Sequence, residues 1–280
     1  MTAAPPGGRI KARFEALARD NRAGFVAYVM AGDPDPDAAL RILRGLPAAG
    51  ADLIELGIPF SDPMADGPPI QRAALRALAA GMTLNGVFAM VRAFRETDAT
   101  TPVVLMGYLN PIVSAGFEAF AAAAADAGVD GLIAVDCPPE EADPLADALD
   151  RHGVDLIRLA TPTTDDARLA VVARRTRGFV YYVSVAGVTG AKAAVAADVA
   201  PAVERVRAAS GLPVAVGFGI RTPAQAAAIA EVADAAVVGS ALVDALADAL
   251  DAGADPAAGV LDLVTALGAA VRDARNRPHG

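Results

Sequence analysis

The sequence predicts a single (β/α)8 barrel, the TIM-barrel architecture, with one extra helix before the first strand. Three observations predict this α/β fold. The 280 residues are 54% hydrophobic, which suits one large core of the size that such barrels have. Apolar runs alternate with stretches of helical period, and there are eight of these runs. Each run is almost wholly apolar, as is typical of parallel strands that helices cover on both faces.

The predicted elements follow one another at regular spacing. The eight strands are expected at Gly24 to Met30, Leu53 to Gly57, Pro102 to Gly107, Gly131 to Val135, Asp155 to Leu159, Gly178 to Ser184, Pro213 to Gly217 and Ala235 to Val238. The clearest helices between them are expected at Pro36 to Leu46, Pro139 to His152, Thr164 to Arg175 and Pro223 to Val232. An open, doubly wound sheet is the alternative, although no GxGxxG motif stands between the first strand and the first helix.

The chain is expected to form one catalytic domain at residues 10–273. The extra helix should cover Ile10 to Asn21, and we expect a flexible tail at residues 1–9 and a second tail at residues 274–280. The first residues, Met1 to Gly8, do not have the basic and then apolar pattern of a signal peptide. The one cysteine, Cys137, cannot form an internal disulfide, which fits a reducing compartment and predicts a cytoplasmic location.

The charge of the chain narrows the class of ligand. A formal net charge of -9 argues against binding to nucleic acid or to an anionic membrane surface, because both require concentrated positive charge. The composition therefore favours a small-molecule substrate.

The densest group of polar residues follows the second predicted strand. Active groups of a barrel lie at the C-terminal ends of strands, and Glu55, Asp62 and Asp66 all come at or after this end. Glu55 stands between Ile54 and Leu56, so burial should raise its pKa and suit it to general acid-base catalysis. Its position alone is equally compatible with a glutamate that faces outward and pairs with an arginine. The two aspartates alone are more typical of turns or helix caps.

Three glycine-containing segments follow the late strands and indicate a phosphate site. They are Gly187 to Gly190, Gly217 to Ile220, and Gly239 with Ser240. Backbone N–H groups at glycine turns and helix N-termini bind phosphate without lysine, and barrels commonly use the loops after strands seven and eight for this purpose. Any one of these glycines alone is better explained as a tight turn.

The basic residues that other chemistries need are scarce. The two histidines, His152 and His279, and the two lysines, Lys11 and Lys192, are not at strand C-termini. A histidine metal site, a Ser-His-Asp triad and a Schiff-base lysine are therefore disfavoured, and no metal is expected, although carboxylate-only Mg²⁺ binding stays open.

The segment Glu55 to Gly67, ELGIPFSDPMADG, resembles the signature of the tryptophan synthase alpha subunit family. The resemblance extends in the family's order over Ile10 to Asp273. It includes the segments Ala31 to Pro34, Gly187 to Gly190, Gly217 to Gly219 and Val238 to Ser240. Met64 stands where leucine is common, and Met30 where threonine often precedes the Ala-Gly-Asp-Pro segment.

The resemblance implies cleavage of indole-3-glycerol phosphate to indole and glyceraldehyde 3-phosphate in L-tryptophan biosynthesis. It implies that Glu55 is the acid-base group and that Asp66, ionised, accepts a hydrogen bond from the indole N–H. The implied phosphate-binding residues are Gly190, Gly219, Gly239 and Ser240. The implied residues around the rest of the substrate are Tyr28, Met106, Ile133, Leu159, Tyr181, Thr189 and Phe218. The segments Phe60 to Asp66 and Val185 to Lys192 would be loops that close over the substrate.

The resemblance also implies a partner. It would be a beta subunit that carries pyridoxal phosphate and receives the indole within an alpha2beta2 heterotetramer, so this chain would hold no cofactor of its own. The implied interface residues are Asp62, Pro63, Tyr108, Asn110 and Pro111. Three alternatives stay open: a stand-alone indole-releasing lyase, another phosphate-binding barrel isomerase or epimerase, and a non-catalytic regulatory subunit.

Overall fold

The structure of the chain is a computed structural model that describes residues 8–184, 192–217 and 219–275. These residues contain nine strand segments, β1 to β9, which are in order Gly24–Met30, Leu53–Gly57, Val103–Gly107, Gly131–Ala134, Asp155–Leu156, Arg158–Ala160, Val180–Val183, Val214–Gly217 and Ala235–Val238. The same residues contain twelve α-helices, α1 to α12, which are in order Gly8–Arg19, Pro36–Ala49, Pro68–Ala79, Leu84–Arg95, Leu109–Ala115, Phe117–Ala127, Asp143–Arg151, Asp166–Arg174, Lys192–Ser210, Pro223–Val232, Ser240–Asp251 and Pro256–Arg272.

All nine segments form one parallel sheet in the order β5, β4, β3, β2, β1, β9, β8, β7, β6. The fifth predicted strand is divided at Ile157 because its two halves have different neighbours. The first half, β5, pairs with β4, and the second half, β6, pairs with β7. The N–H of Ile157 still donates to the carbonyl of Leu132 at 2.9 Å, so the two ends of the sheet meet in one continuous stretch of chain. This stagger is what a closed barrel with tilted strands requires. The predicted (β/α)8 barrel is confirmed, and the open sheet is wrong.

The predicted element bounds are close to the observed ones. The strands Gly24–Met30, Leu53–Gly57 and Ala235–Val238 have the predicted limits. Two strands begin one residue later than predicted, directly after Pro102 and Pro213, because proline has no N–H to give to the ladder.

The ends of the chain differ from the prediction in their details. The first helix begins at Gly8, two residues before the predicted start. At the other end, helix α12 stops at Arg272, and Arg275 donates to the carbonyl oxygens of Ala230 and Ala233 at 3.0 and 2.7 Å. The start of the predicted C-terminal tail is therefore fixed against helix α10.

Helix α1 covers the N-terminal end of the barrel. Its buried residues Ile10, Phe14 and Leu17 pack in one cluster with residues that point to the inside of the strands, such as Val26 and Leu53. The opposite end of the strands is left for the loops that carry polar groups. A second and larger apolar cluster lies between the outer face of the strands and the surrounding helices.

Among the residues that the structure describes, no single helix is long and apolar enough to cross a membrane. Helices α3 and α4 together have the length and apolar composition of a membrane span, but the two helices are bent by 93° relative to each other.

Candidate active site

Glu55 points to the inside of the barrel. Side chains alternate along strand β2, and Leu53, two residues before Glu55, belongs to the inner apolar cluster. Glu55 is paired in register with Tyr28 on β1 and with Val104 on β3, and only 2% of it is exposed. Because the carboxyl group is inside and forms no ion pair in the described part of the chain, the outward-facing alternative is wrong.

Burial controls the chemistry of the Glu55 carboxyl group. Loss of solvation, with a smaller contribution from the negative charge of Asp66, raises the pKa of Glu55 to about 8. Its Oε2 atom is fully buried and has no hydrogen-bond partner among the described residues. The group therefore holds its proton at neutral pH, and no other atom of the described residues accepts that proton.

Asp66 lies on the loop between β2 and α3 and is half-buried. Burial raises its pKa, and a hydrogen bond from the hydroxyl of Tyr108 acts in the opposite direction. The same Tyr108 oxygen accepts a hydrogen bond from the N–H of Ala65 at 2.9 Å, and the ring of Tyr108 lies 5.3 Å from that of Phe60. Tyr108 therefore fixes the segment that carries Asp66.

Two inward-facing tyrosines lie on other strands of the barrel. Tyr28 on β1 and Tyr181 on β7 are both buried, and burial raises the pKa of each hydroxyl, with the charge of Glu55 adding to it. A Cβ atom on Gly57 would collide with the Tyr28 hydroxyl, and one on Gly217 would collide with the Tyr181 hydroxyl. These glycines thus leave room for the rings beside Glu55. Glu55, Tyr28 and Tyr181 all lie towards the C-terminal ends of the strands. We call this end of the barrel the 'barrel mouth'.

The role of Gly217 is one that the sequence did not reveal. The sequence predicts this residue as the end of a strand and as part of a phosphate segment. The structure confirms it as the last residue of β8 and adds that its missing side chain accommodates Tyr181. A tyrosine and a glycine on paired strands are distant in sequence, so only their register brings them together.

The described members of the predicted phosphate site lie after the last two strands. Gly239 is the N-cap residue of helix α11, and Ser240 is its first residue. A Cβ atom on Gly239 would lie 3.4 Å from the Tyr28 side chain, so this helix begins beside the barrel mouth. Gly219 adopts a left-handed conformation, with φ of 76°. The first N–H groups of a helix have no partner within it and can bind an anion.

The remaining predicted substrate residues lie partly inside the barrel and partly outside the described chain. Met106 and Leu159 are partly buried against the inner cluster, and Ile133 is completely buried within it. Three predicted residues, Thr189, Gly190 and Phe218, are outside the described residues, as is most of the segment Val185 to Lys192.

The predicted interface residues are not alike. Asp62 and Asn110 are exposed, and Pro63 and Pro111 are half-buried. Tyr108, in contrast, is only 4% exposed, because its side chain turns inward to the loop that carries Asp66.

Two exposed apolar residues, which the sequence reading did not select, lie in the same segments. Met64 is 83% exposed on the loop after β2, and Val113 is 54% exposed on helix α5. An apolar side chain within a polar loop is the sequence feature that could have marked Met64 as a surface contact residue.

The described residues contain no group of three or more His, Cys, Asp or Glu side chains that could hold a metal ion. Lys11 lies on helix α1, at the end of the barrel opposite the mouth, and its side chain is 78% exposed.

Comparison with known proteins identifies the family. The chain matches the family model described as tryptophan synthase alpha chain over residues 14–271. It is 73% identical to the tryptophan synthase alpha chain of Phenylobacterium zucineum (strain HLK1) over 271 residues, which are 97% of this chain and 98% of the relative. It is 70% identical to that of Caulobacter vibrioides (strain NA1000 / CB15N) over 267 residues, covering 95% and 97% of the two chains.

Solved structures agree with the sequence comparison. The tryptophan synthase subunit alpha of Legionella pneumophila str. Paris superposes with a TM-score of 0.88 at 43% identity, over 94% of this chain and 98% of the other. A chain of the tryptophan synthase from M. tuberculosis superposes with a TM-score of 0.83 at 39% identity, over 94% and 98%. Together with the inward-facing Glu55 and the loop that carries Asp66, these matches show that the chain belongs to the tryptophan synthase alpha chain family.

Proposed function

We propose that this chain cleaves indole-3-glycerol phosphate to indole and glyceraldehyde 3-phosphate, with Glu55 as its acid-base group and Asp66 as its electrostatic group. Membership of the family makes the chain a carbon-carbon lyase of L-tryptophan biosynthesis. One observation carries the assignment of Glu55: it is a fully buried carboxyl group at the barrel mouth, with its pKa raised to about 8 and with Oε2 unpaired.

The environments of the two carboxyl groups suit opposite roles. Glu55 gives its proton to the indole carbon that bears the side chain, and the glycerol hydroxyl next to the ring returns a proton to Glu55 as the carbon-carbon bond breaks. The electron pair of that bond restores the aromatic ring, and the hydroxyl carbon becomes the aldehyde. Burial raises the pKa of Asp66, but the group is only half-buried and a hydrogen bond from Tyr108 opposes this rise, which favours its ionised form. As a carboxylate it accepts from the indole N–H and stabilises the positive charge that develops on the ring.

The phosphate group would bind at the start of helix α11. Gly239 and Ser240 offer backbone N–H groups at the positive end of the helix dipole, and Gly219 supports the neighbouring loop. Gly190 would complete the site. The indole and glycerol parts would lie against Tyr28, Tyr181, Met106, Leu159, Ile133, Thr189 and Phe218. Such a site needs no lysine, which is consistent with the acidic chain.

We also propose a beta-subunit partner that carries pyridoxal phosphate and takes up the indole in an alpha2beta2 assembly in the cytoplasm. No cofactor is assigned to this chain. The exposed Met64 and Val113, with Asp62 and Asn110, support a contact surface formed by the loop after β2 and helix α5. Tyr108 would serve this surface indirectly, by fixing the loop.

The test is indole release by the purified chain from indole-3-glycerol phosphate, with and without a beta subunit. We expect Glu55→Gln to lower turnover about a thousandfold, because general acid-base catalysis is lost, and to leave KM nearly unchanged. We expect Asp66→Asn to lower turnover about a hundredfold.

The control is Glu15→Gln, which changes an exposed carboxylate on helix α1 at the opposite end of the barrel and should leave the rate unchanged. Wild-type turnover by the Glu55 or Asp66 variant would refute the role of that residue. Indole release that is equally fast without the beta subunit would identify a stand-alone lyase.

A further inference from the structure

A cavity of about 810 Å³ lies at the end of the barrel opposite the mouth. It opens between helix α1 and the N-terminal ends of β5, β7 and β8. Its lining includes Asp155 at the start of β5, Gly178 shortly before β7 and Pro213 directly before β8. None of the described residues assigned to the substrate or to its phosphate group lines this cavity. Its volume is that of a small-molecule site, and its position is separate from the barrel mouth.

Asp155 is a half-buried carboxylate in the lining of this cavity. It comes two residues before Ile157, which belongs to the inner cluster, so its side chain points to the inside of the barrel. A Cβ atom on Gly178 would lie 2.9 Å from Oδ2 of Asp155 and 3.1 Å from the side chain of Ile10. The carboxylate therefore lies where helix α1 meets the chain that leads into β7.

The oxygen atoms of Asp155 are both unpaired and accessible. No donor among the described residues forms a hydrogen bond with them. The fully buried side-chain N and O atoms without a partner in this part of the chain belong to Glu55 and Arg158, so the oxygens of Asp155 keep accessible surface. Because Asp155 lines the cavity, this surface is available to a molecule that enters it.

The two basic side chains of the lining are engaged with other carboxylates. Arg177 donates to Asp150 through Nε at 2.6 Å and through Nη2 at 3.1 Å. Lys11 lies 3.9 Å from Glu15 on the exposed face of helix α1. The part of the chain that the structure describes therefore supplies Asp155 with no cation of its own.

The charges around Asp155 leave its burial without full compensation. Burial raises the pKa of Asp155 to about 7, Arg177 acts against this rise, and the negative charges of Asp130 and Asp150 add to it. Asp130 itself pairs with Arg9 at 2.9 Å. The ion pair on helix α1 completes the charged surroundings. A further cation next to the carboxylate would thus stabilise its ionised form.

The free carboxylate and the walls define the class of ligand. A planar cation with two parallel N–H groups matches the two oxygens of a carboxylate. The walls include the buried Phe14 and the half-buried Leu212 and Pro213, which suit an apolar body. The lining holds three carboxyl groups and two basic groups, so a cation is favoured over an anion.

We propose that this cavity binds a small organic monocation with an apolar body, whose planar amidinium or guanidinium group pairs with the carboxylate of Asp155. The site does not depend on the function proposed for Glu55.

Benzamidine is the probe, because it combines a planar amidinium with an apolar ring. Its neutral counterpart, benzamide, has nearly the same shape and is the control ligand. Titration calorimetry on the full-length chain measures both. We expect benzamidine to bind with a Kd of about 1 mM or tighter, and benzamide to bind at least about tenfold more weakly. Absence of benzamidine binding, or equal binding of the two ligands, would overturn the proposal.

The pH dependence of the Kd is a second measurement on the wild-type chain. Benzamidine stays a cation between pH 6 and pH 8, whereas Asp155 loses its proton in this range. Because the proton competes with the ligand for the carboxylate, the Kd should fall about tenfold from pH 6 to pH 8. A Kd that stays constant, or that rises with pH, would contradict the site.

Three variants locate the binding. Asp155→Asn keeps the shape but loses the charge, and it should weaken benzamidine binding at least about tenfold and remove the pH dependence. It should still fold, because it removes a costly buried charge, and thermal unfolding checks this. Glu15→Gln changes an exposed carboxylate of the same lining and should alter the Kd less than about twofold. Asp66→Asn, at the barrel mouth, should bind like wild type.

An equal loss in Glu15→Gln and Asp155→Asn would show a diffuse attraction of cations instead of a site. A loss in Asp66→Asn would place the ligand at the mouth. Either result would refute the proposal. The comparison of benzamidine with benzamide on the wild-type chain does not depend on the folding of any variant.

Discussion

Two buried carboxyl groups in this protein differ in their ionisation because different side chains surround them. Asp33 is as deeply buried as Glu55, yet it forms a two-pronged ion pair with Arg76, at 2.6 and 2.8 Å. Within the described part of the chain Glu55 has no such partner, so burial acts on it without compensation and raises its pKa to about 8. A carboxyl group at the same depth can therefore be a structural anion or a proton donor, depending on whether an arginine is within reach.

The raised pKa of Glu55 predicts a pH-dependent stability. The folded chain keeps this proton up to about pH 8, whereas the unfolded chain loses it near the ordinary pKa of 4.5. Between these two values the folded state binds more protons, so the free energy of unfolding contributed by Glu55 falls as pH rises, by about 1.4 kcal/mol per unit of pKa difference.

Glu55→Gln cannot ionise and should escape this loss. We expect the stability of the variant relative to wild type to increase from about pH 5 to about pH 9, measured by urea unfolding at both values. A difference between the two proteins that does not change with pH would show that Glu55 ionises normally.

At the scale of elements, the loop after β2 depends on a residue of a different strand-helix unit. Tyr108, which precedes helix α5, accepts from the N–H of Ala65 and donates to the carboxylate of Asp66. This one hydroxyl thus connects the position of the loop with the ionisation of its aspartate.

Tyr108→Phe should impair the reaction through Asp66. Loss of the hydroxyl removes a hydrogen bond that lowers the Asp66 pKa, so the acidic limb of the kcat/KM profile should move to higher pH, and the maximum should fall about tenfold. Tyr182→Phe is the control, because Tyr182 is also buried but packs in the cluster outside the barrel. If the acidic limb of the profile does not move in Tyr108→Phe, the role of Tyr108 is only to pack against Phe60.

Helix α3 is attached to the loop after β1 by the Asp33–Arg76 ion pair. Arg76→Met would leave a buried aspartate without its partner, and we expect it to lower the free energy of unfolding by about 3 kcal/mol. Arg72→Met on the same helix removes an exposed pair with Asp244 at 3.7 Å and should change stability by less than about 1 kcal/mol. Denaturant unfolding measures the loss of unfolding free energy in both variants. Equal losses would contradict the claim that the buried Asp33 depends on its ion pair with Arg76.

On the scale of the whole molecule, the barrel has one end filled with apolar side chains and one end available for chemistry. Helix α1 fills the first end, where the ring of Phe14 lies 5.6 Å from that of Phe179 at the start of the seventh segment. The mouth, at the other end, holds the buried Glu55 and the two tyrosines. The stability of the barrel and its chemistry are thus separated along its axis, as is usual for this architecture.

Phe14→Ala tests this separation. Removal of a buried aromatic ring should cost about 3 to 5 kcal/mol of unfolding free energy, whereas kcat at a temperature where the variant is folded should change little. Lys11→Ala, on the exposed face of the same helix, should cost less than about 0.5 kcal/mol. Thermal unfolding and indole release are measured on both variants. A large loss of kcat in folded Phe14→Ala would show that the two ends of the barrel are coupled.

The sequence by itself determined the order of the strands along the chain, the barrel class and the family, and it predicted an acid-base role for Glu55. It could do so because strand period, apolar runs and the Glu55 to Gly67 segment are local in the chain. The prediction of eight strands counted Asp155 to Leu159 as one, and the structure divides it at Ile157.

Only the tertiary structure decided that Glu55 faces inward with no ion-pair partner among the described residues, that Tyr108 fixes the loop of Asp66 and that Gly217 accommodates Tyr181. Each of these facts joins residues that are far apart in sequence, and they meet only when the ring of strands closes. Burial, and with it the pKa of an acid, depends on everything that surrounds the group, and no local pattern of residues contains that information.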